Sequence, residues 1–201
     1  MEMPFEFCAL RFLLQWERSE KSLHRGMKGA PTIENLRRAL RFFQIARNFP
    51  GLKNDNNAQF IIHELTSLDS HSGYTPERKV EQLALRFKFK FEKFNLSAAS
   101  KLLWLRHRKP YIIYDSRAVR ALRDANEVFD SKSYPEYCAA WRKQYRLHRS
   151  NIKTASERLV EIRGFLPAWH VDEKSMLQAI TQPWFLERVF DIYLWEAGGE
   201  G

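Results

Sequence analysis

The chain has 201 residues, enough for one domain or for one compact fold with two lobes. Hydrophobic residues make up 44%, including 15 Phe, 7 Tyr and 6 Trp, which excludes a disordered chain, and the scarcity of Gly and Pro (8 each) favours helices. Lys and Arg outnumber Asp and Glu by 33 to 24, so the net charge of +9 suits polyanions such as nucleic acid or an anionic membrane surface; a protein with merely basic helix faces is the alternative.

Two cysteines, Cys8 and Cys138, exclude a cysteine-built zinc or iron–sulfur site and a disulfide framework. No apolar run approaches the roughly 20 residues of a membrane span. The start, MEMPFEFCALRFLLQW, lacks the basic beginning and small-residue cleavage site of a secretory signal, so a cytoplasmic protein is expected.

In chain order, residues 4–17 form a first helix with Phe7, Leu10, Leu13 and Leu14 on one stripe. The polar stretch Glu17 to Ala30 reads as a mobile connection. Pro31 and Thr32 open a second helix, carrying Leu36, Leu40, Phe43 and Arg47, that stops near Pro50-Gly51. Asn54–Asn57 cap a third with Phe60, Ile61, Leu65 and Leu68, and Thr75-Pro76 starts another.

Two readings compete for VEQLALRFKFKFEKF. Leu83, Leu85, Phe87, Phe89 and Phe91 alternate as in a strand, whereas Val80, Leu83, Ala84, Phe87, Phe91 and Phe94 make a helical stripe. The helical window is longer and continuous with its cap, so a helix is predicted. Further helices are predicted at 97–106, 116–126, 134–149, 152–163, 172–181 and 184–196, with a loose tail AGGEG. The fold class is all-α.

The chemistry concentrates around Asp115. Ser97, Ala98, Ala99 and Ser100 allow close approach of a backbone or ligand at the start of SAASKLLWLRH. The stretch RHRKP follows, then Tyr111–Tyr114, and Asp115 stands where a new helix begins. Asp is a favoured N-cap, and a cap alone accounts for it. Lys101 lies four residues after Ser97 on the same helix face, where burial would make its amine a candidate nucleophile; an exposed lysine is the commoner case.

The segment Ser97-Ala98-Ala99-Ser100-Lys101-Leu102-Leu103, then Ile112-Ile113-Tyr114-Asp115, then Val119 and Leu122, resembles the helix-hairpin-helix DNA glycosylases, in particular their 8-oxoguanine glycosylase-like branch. The likeness covers residues 94–122, within a helix-hairpin-helix-like segment at 80–122, and elsewhere is architectural. It implies a two-lobed helical fold in which helices 134–196 pack against the N-terminal helix, and a DNA-repair chemistry, base excision, with Asp115 as the central carboxylate. Ser97 stands where bifunctional members carry a lysine nucleophile, which implies a monofunctional N-glycosylase that forms no Schiff base. The hairpin Lys93-Phe94-Asn95-Leu96 has no glycine, where the family's hairpin is glycine-rich for backbone contact with a DNA phosphate. Proteins of this look also occur beside bacterial antiviral signalling genes, which implies a place in antiviral defence.

A glycosylase rotates its base out of the stack into an aromatic pocket. The candidate rings are Trp104, Tyr111, Tyr114, Trp141, Trp169 and Phe185; the resemblance points to Phe185, and Trp104 and Tyr114 are expected beside it in the base pocket. Nucleic-acid contacts are expected from Lys93 and Asn95 at the hairpin, from Arg106, Arg108 and Arg117, and from Arg142, Arg146 and Arg149, which share a helical face with Lys153 while Cys138, Trp141 and Tyr145 line another. His148, His170 and Asp172 are too scattered for a metal site, and no phosphate-binding glycine loop, nucleophile elbow or HExxH motif occurs, so no cofactor is expected. The expected partner is DNA or another nucleic acid. Two rivals stay open: a non-enzymatic nucleic-acid-binding module, and an adaptor in a multi-protein defence complex that displays Phe87, Phe89 and Phe91 as an apolar patch.

Overall fold

The computed structural model describes residues 3–162 and 173–199, and within them it is all-α, without a strand. The chain divides into two compact units. One combines the chain up to Lys21 with the chain from Asp115 onward; the other is Ser22–Tyr114.

In the first unit, α1 (Phe5–Gln15) runs into a π-helical turn, Trp16–Glu20. It packs against α8 (Tyr134–Glu157) and α10 (Pro183–Ala197), and α10 also packs against α7 (Ser116–Asp124) and α9 (Glu173–Ile180). The core is aromatic. Phe12 meets Phe185 at a centroid distance of 4.8 Å, Trp16 meets Trp184 at 4.5 Å, and Trp141 meets Phe190 at 5.0 Å. Cys8 is fully buried here, and burial pushes its thiol up to about 12, as suits a core residue rather than a nucleophile.

The second unit holds α2 (Lys21–Met27, whose first residue closes the first unit), α3 (Ile33–Phe42), α4 (Asp55–Ser67), α5 (Pro76–Phe91) and α6 (Leu96–His107). Its helix starts are local chemistry. Thr32 accepts from the Asn35 N–H at 3.2 Å, Asn54 from Asn56 at 2.9 Å and Thr75 from Arg78 at 3.2 Å, with Pro76 in the first turn where its missing N–H costs nothing. α5 decides between the two readings of its sequence. Val80, Leu83, Ala84 and Phe87 are 0% exposed and Phe91 is buried, whereas Leu85 and Phe89 face out, so the period is 3.6 and not 2. Phe87 and Phe91 close on Phe49 edge-on, at 5.0 and 5.2 Å. This also corrects the expected three-ring patch: Phe89 alone of the three is exposed, and Phe94 is exposed rather than on the buried stripe.

Other expectations change. The polar stretch 17–30 is largely helical, comprising part of the π turn and α2, because Glu20, Leu23, His24 and Met27 are buried on it. The second helix ends at Phe42, and a 3₁₀ turn, Ala46–Asn48, follows. The helices expected at 134–149 and 152–163 are one helix, since Ser150 and Asn151 do not break it and Ile152, Ala155 and Ser156 continue the buried side; a 3₁₀ turn, Arg158–Val160, follows it, and residue 163 lies outside the described residues. The tail is held at Gly198, where an added methyl group would run into the Arg117 carbonyl oxygen.

The two sides of α5 predict opposite costs. Phe87→Ala should lower unfolding stability by about 3–5 kcal/mol, whereas Phe89→Ala should change it by no more than about 0.5 kcal/mol, both read from denaturant titrations.

Candidate functional site

α5 and α6 form a helical hairpin within the second unit. The chain reverses through Glu92, Lys93 and Phe94, and Glu92 itself takes the left-handed conformation (φ 59°) that a glycine would take without steric cost. Asn95 caps α6, accepting from the Ala98 N–H at 2.9 Å, and is 6% exposed; Lys93 is exposed and donates to Asn48 Oδ1 at 2.7 Å.

One turn into α6, two of the expected catalytic positions meet. Lys101 is 8% exposed and its Nζ donates to Ser97 Oγ at 2.9 Å, with the Phe43 ring centroid 5.9 Å away. Ser100 donates to the Ser97 carbonyl at 3.3 Å and accepts the Tyr114 N–H at 2.9 Å, which ties the segment after α6 back onto the start of that helix. Tyr114 is half-buried.

Asp115 opens the other unit's helical segment. Its Oδ1 accepts the Arg117 N–H at 3.1 Å as the N-cap of α7, and the side chain is half-buried. The Arg117 guanidinium lies over the Trp195 ring at 4.0 Å. On α8, Arg142, Arg146, Arg149 and Lys153 are all exposed along one side, while Cys138 and Trp141 are buried and Tyr145 is half-buried, its hydroxyl pushed up to about 12 by burial.

Several expected site residues sit elsewhere. Arg106 is 6% exposed and engaged: its Nε and Nη2 donate to Asp69 Oδ2 at 2.8 and 2.6 Å, and its Nη1 to the Met27 carbonyl at 2.9 Å. His107 Nε2 meets the other Asp69 oxygen at 2.8 Å. Burial alone would raise the Asp69 carboxyl, but hydrogen bonds and charge from Arg106 and His107 outweigh it and hold it below the usual range. Arg106 therefore has a structural partner rather than a phosphate. Arg108, at φ 61°, is half-buried, and burial lowers its guanidinium. Trp104 is 2% exposed and Phe185 0%, each enclosed in the core of its own unit, so neither presents a face to a base. Trp169, His170 and Asp172 lie outside the described residues. Among the described residues, no group of three His, Cys, Asp or Glu side chains could hold a metal ion.

A charged cluster in the first unit went unread in the sequence. Arg188 of α10 is buried and donates to Glu20 at 3.0 Å; Glu20, fully buried on the π turn, also accepts from Gln15. Asp191 lies one turn on from Arg188, 3.9 Å from its guanidinium, and accepts the Trp141 indole N–H at 2.9 Å. Burial works against the Arg188 charge, but Glu20, Asp191 and, more weakly, Asp115 outweigh it and hold the group above its usual value. For Asp191 the balance runs the other way. Burial outweighs Arg188 and Trp141, and Glu187 and Glu20 add to it, so the carboxyl is pushed up to about 7. The signal was present: PWFLERVFDIYLW sets Arg188 and Asp191 three apart in an apolar helix, where charges need partners.

Compared with known proteins, the chain matches no family model, no curated protein and no solved structure.

Two expectations follow. Glu92→Gly should raise stability by about 1 kcal/mol in a denaturant titration, because it removes the left-handed strain of the hairpin. Asp191 binds a proton in the folded chain between its ordinary value near about 4 and about 7, and releases it when unfolded there. Its contribution is full below pH of about 4 and is lost as pH rises through about 7, so the wild-type chain should lose stability relative to Asp191→Asn across that window. Parallel denaturation series at pH 4.5 and 7.5 read the difference.

Proposed function

We propose that the protein is a nucleic-acid-binding, DNA glycosylase-like protein that releases a damaged or modified base, with Asp115 as its central carboxylate. The observation that carries the reading is the order of elements: helix, tight turn, helix, short segment, then an aspartate capping the next helix, with Ser97 and Lys101 at the start of the helix after the turn. That order is the one the resemblance requires. The exposed cations of α8 add a surface suited to phosphates.

Breaking an N-glycosidic bond builds positive charge on the sugar. A half-buried carboxylate set against that charge stabilises it and orients an attacking water. With serine at position 97, the chemistry needs no Schiff base, and the Lys101 amine, engaged with Ser97, serves to position that hydroxyl. A role in bacterial antiviral defence, acting on a modified nucleobase, belongs to the same proposal.

The second reading is a binding module without base release. The enclosure of Trp104 and Phe185 favours it, since it removes two rings from the expected base pocket.

Oligonucleotides carrying 8-oxoguanine, uracil, hypoxanthine or alkylated purines test the choice, incubated with wild type and Asp115→Asn and then treated or not treated with alkali. Asparagine caps a helix as well as aspartate does, so the variant keeps its fold. The expected result is alkali-dependent strand cleavage that falls about 10²–10⁴-fold in the variant. DNA binding with no release from any substrate would establish the binding module instead.

A further inference from the structure

The last turns of α5 carry a ring that the fold does not use. Phe87 and Phe91 are buried, but Phe89 between them is 90% exposed. Lys88 and Lys90 flank it and are exposed, and Lys93 stands exposed just beyond the helix. From Arg86 to Lys93 the chain has four cations against a single carboxylate, Glu92.

Phe89 also forms one wall of a groove of about 420 Å³ between α4 and α5, lined with Phe60, His63, Glu64, Ser67, His71 and Arg86. Within the groove Arg86 is held by an ion pair with Glu64, which offsets its charge, and by a 2.7 Å hydrogen bond to Ser67 Oγ. Lys90 Nζ lies 5.8 Å from the centre of the Phe60 ring. The groove lies within the second unit, and the base-release chemistry makes no use of its residues.

Leu85, one turn back, is the other exposed apolar residue of α5, and so small an apolar area among cations is poorly suited to a protein partner, which would bury a broader patch. It is well suited to a nucleotide, which offers a flat face to the ring and a phosphate on either side. We propose that this groove is a single-strand site, in which an unpaired base stacks on Phe89 and the adjoining phosphates sit on Lys88, Lys90 and Lys93. The site rests on the nucleic-acid reading given above for its polymer, and not on the chemistry assigned to Asp115.

The test is a fluorescence titration of the full chain with a twelve-nucleotide thymidine strand carrying one 2-aminopurine, at several salt concentrations. Stacking in wild type should change the probe's emission. Phe89→Ala should weaken binding about ten- to a hundredfold and abolish that change, and Phe89→Trp should restore both. Lys88→Ala with Lys90→Ala should reduce the slope of log affinity against log salt by about 1.4.

Wild-type affinity in Phe89→Ala would overturn the site while leaving base release untouched. Loss of base release with Phe89-dependent binding intact would remove the enzyme reading and keep the site. Failure of wild type to bind the strand would overturn the site, and self-association lost in Phe89→Ala, measured by sedimentation, would assign the groove to a second copy of the chain instead.

Discussion

Arg188 carries a guanidinium into the interior of the first unit, and three other parts of that unit are arranged to meet it or its partners. Glu20 comes from the π turn after α1, Asp191 from the next turn of α10, and Trp141 from α8. An ion taken out of water costs several kcal/mol unless charge and hydrogen bonds replace its hydration, so removing one member leaves the others exposed to that cost. The packing of α1, α8 and α10 is therefore tied to a single cation as well as to the Phe12, Trp184 and Phe185 rings around it. Asp191, 3.9 Å from that cation, is pushed up to about 7 chiefly by burial.

The second unit solves a similar problem differently. Arg106 is buried near the end of α6, yet its partner Asp69 is part-exposed, and the Met27 carbonyl accepts from its third nitrogen, Nη1. At the start of the same helix the Lys101 amine donates to the Ser97 hydroxyl, while the Ser100 hydroxyl donates to the Ser97 carbonyl and accepts the Tyr114 N–H. One end of α6 is thus fixed by an ion pair, and the other presents the small polar groups on which the functional proposal rests.

Much of the secondary structure was legible because it is local. A hydroxyl or amide at Thr32, Asn54 or Thr75 needs only the N–H two or three residues on. The buried stripe of α5 needs only the helix period. The candidate site was legible in part for the same reason: Ser97 and Lys101 are one turn apart, and Asp115 caps its own helix. Residues whose role depends on distant partners were misread. Arg106 looked like a phosphate contact until Asp69 and Met27, far away in sequence, took its donors. Phe185 looked like a stacking ring until Phe12 covered it.

What the sequence determined by itself, then, is an all-helical, basic, aromatic-rich chain with its caps and an aspartate at the head of a helix. Those features rest on composition and on interactions spanning a few residues. Only the tertiary structure decided which polar residues are inside. Glu20 sits in a stretch as polar as any loop, and its burial depends on a guanidinium 168 positions away in the chain. No local pattern contains that information, because the free energy that holds Glu20 inside arises only when α10 has folded against it.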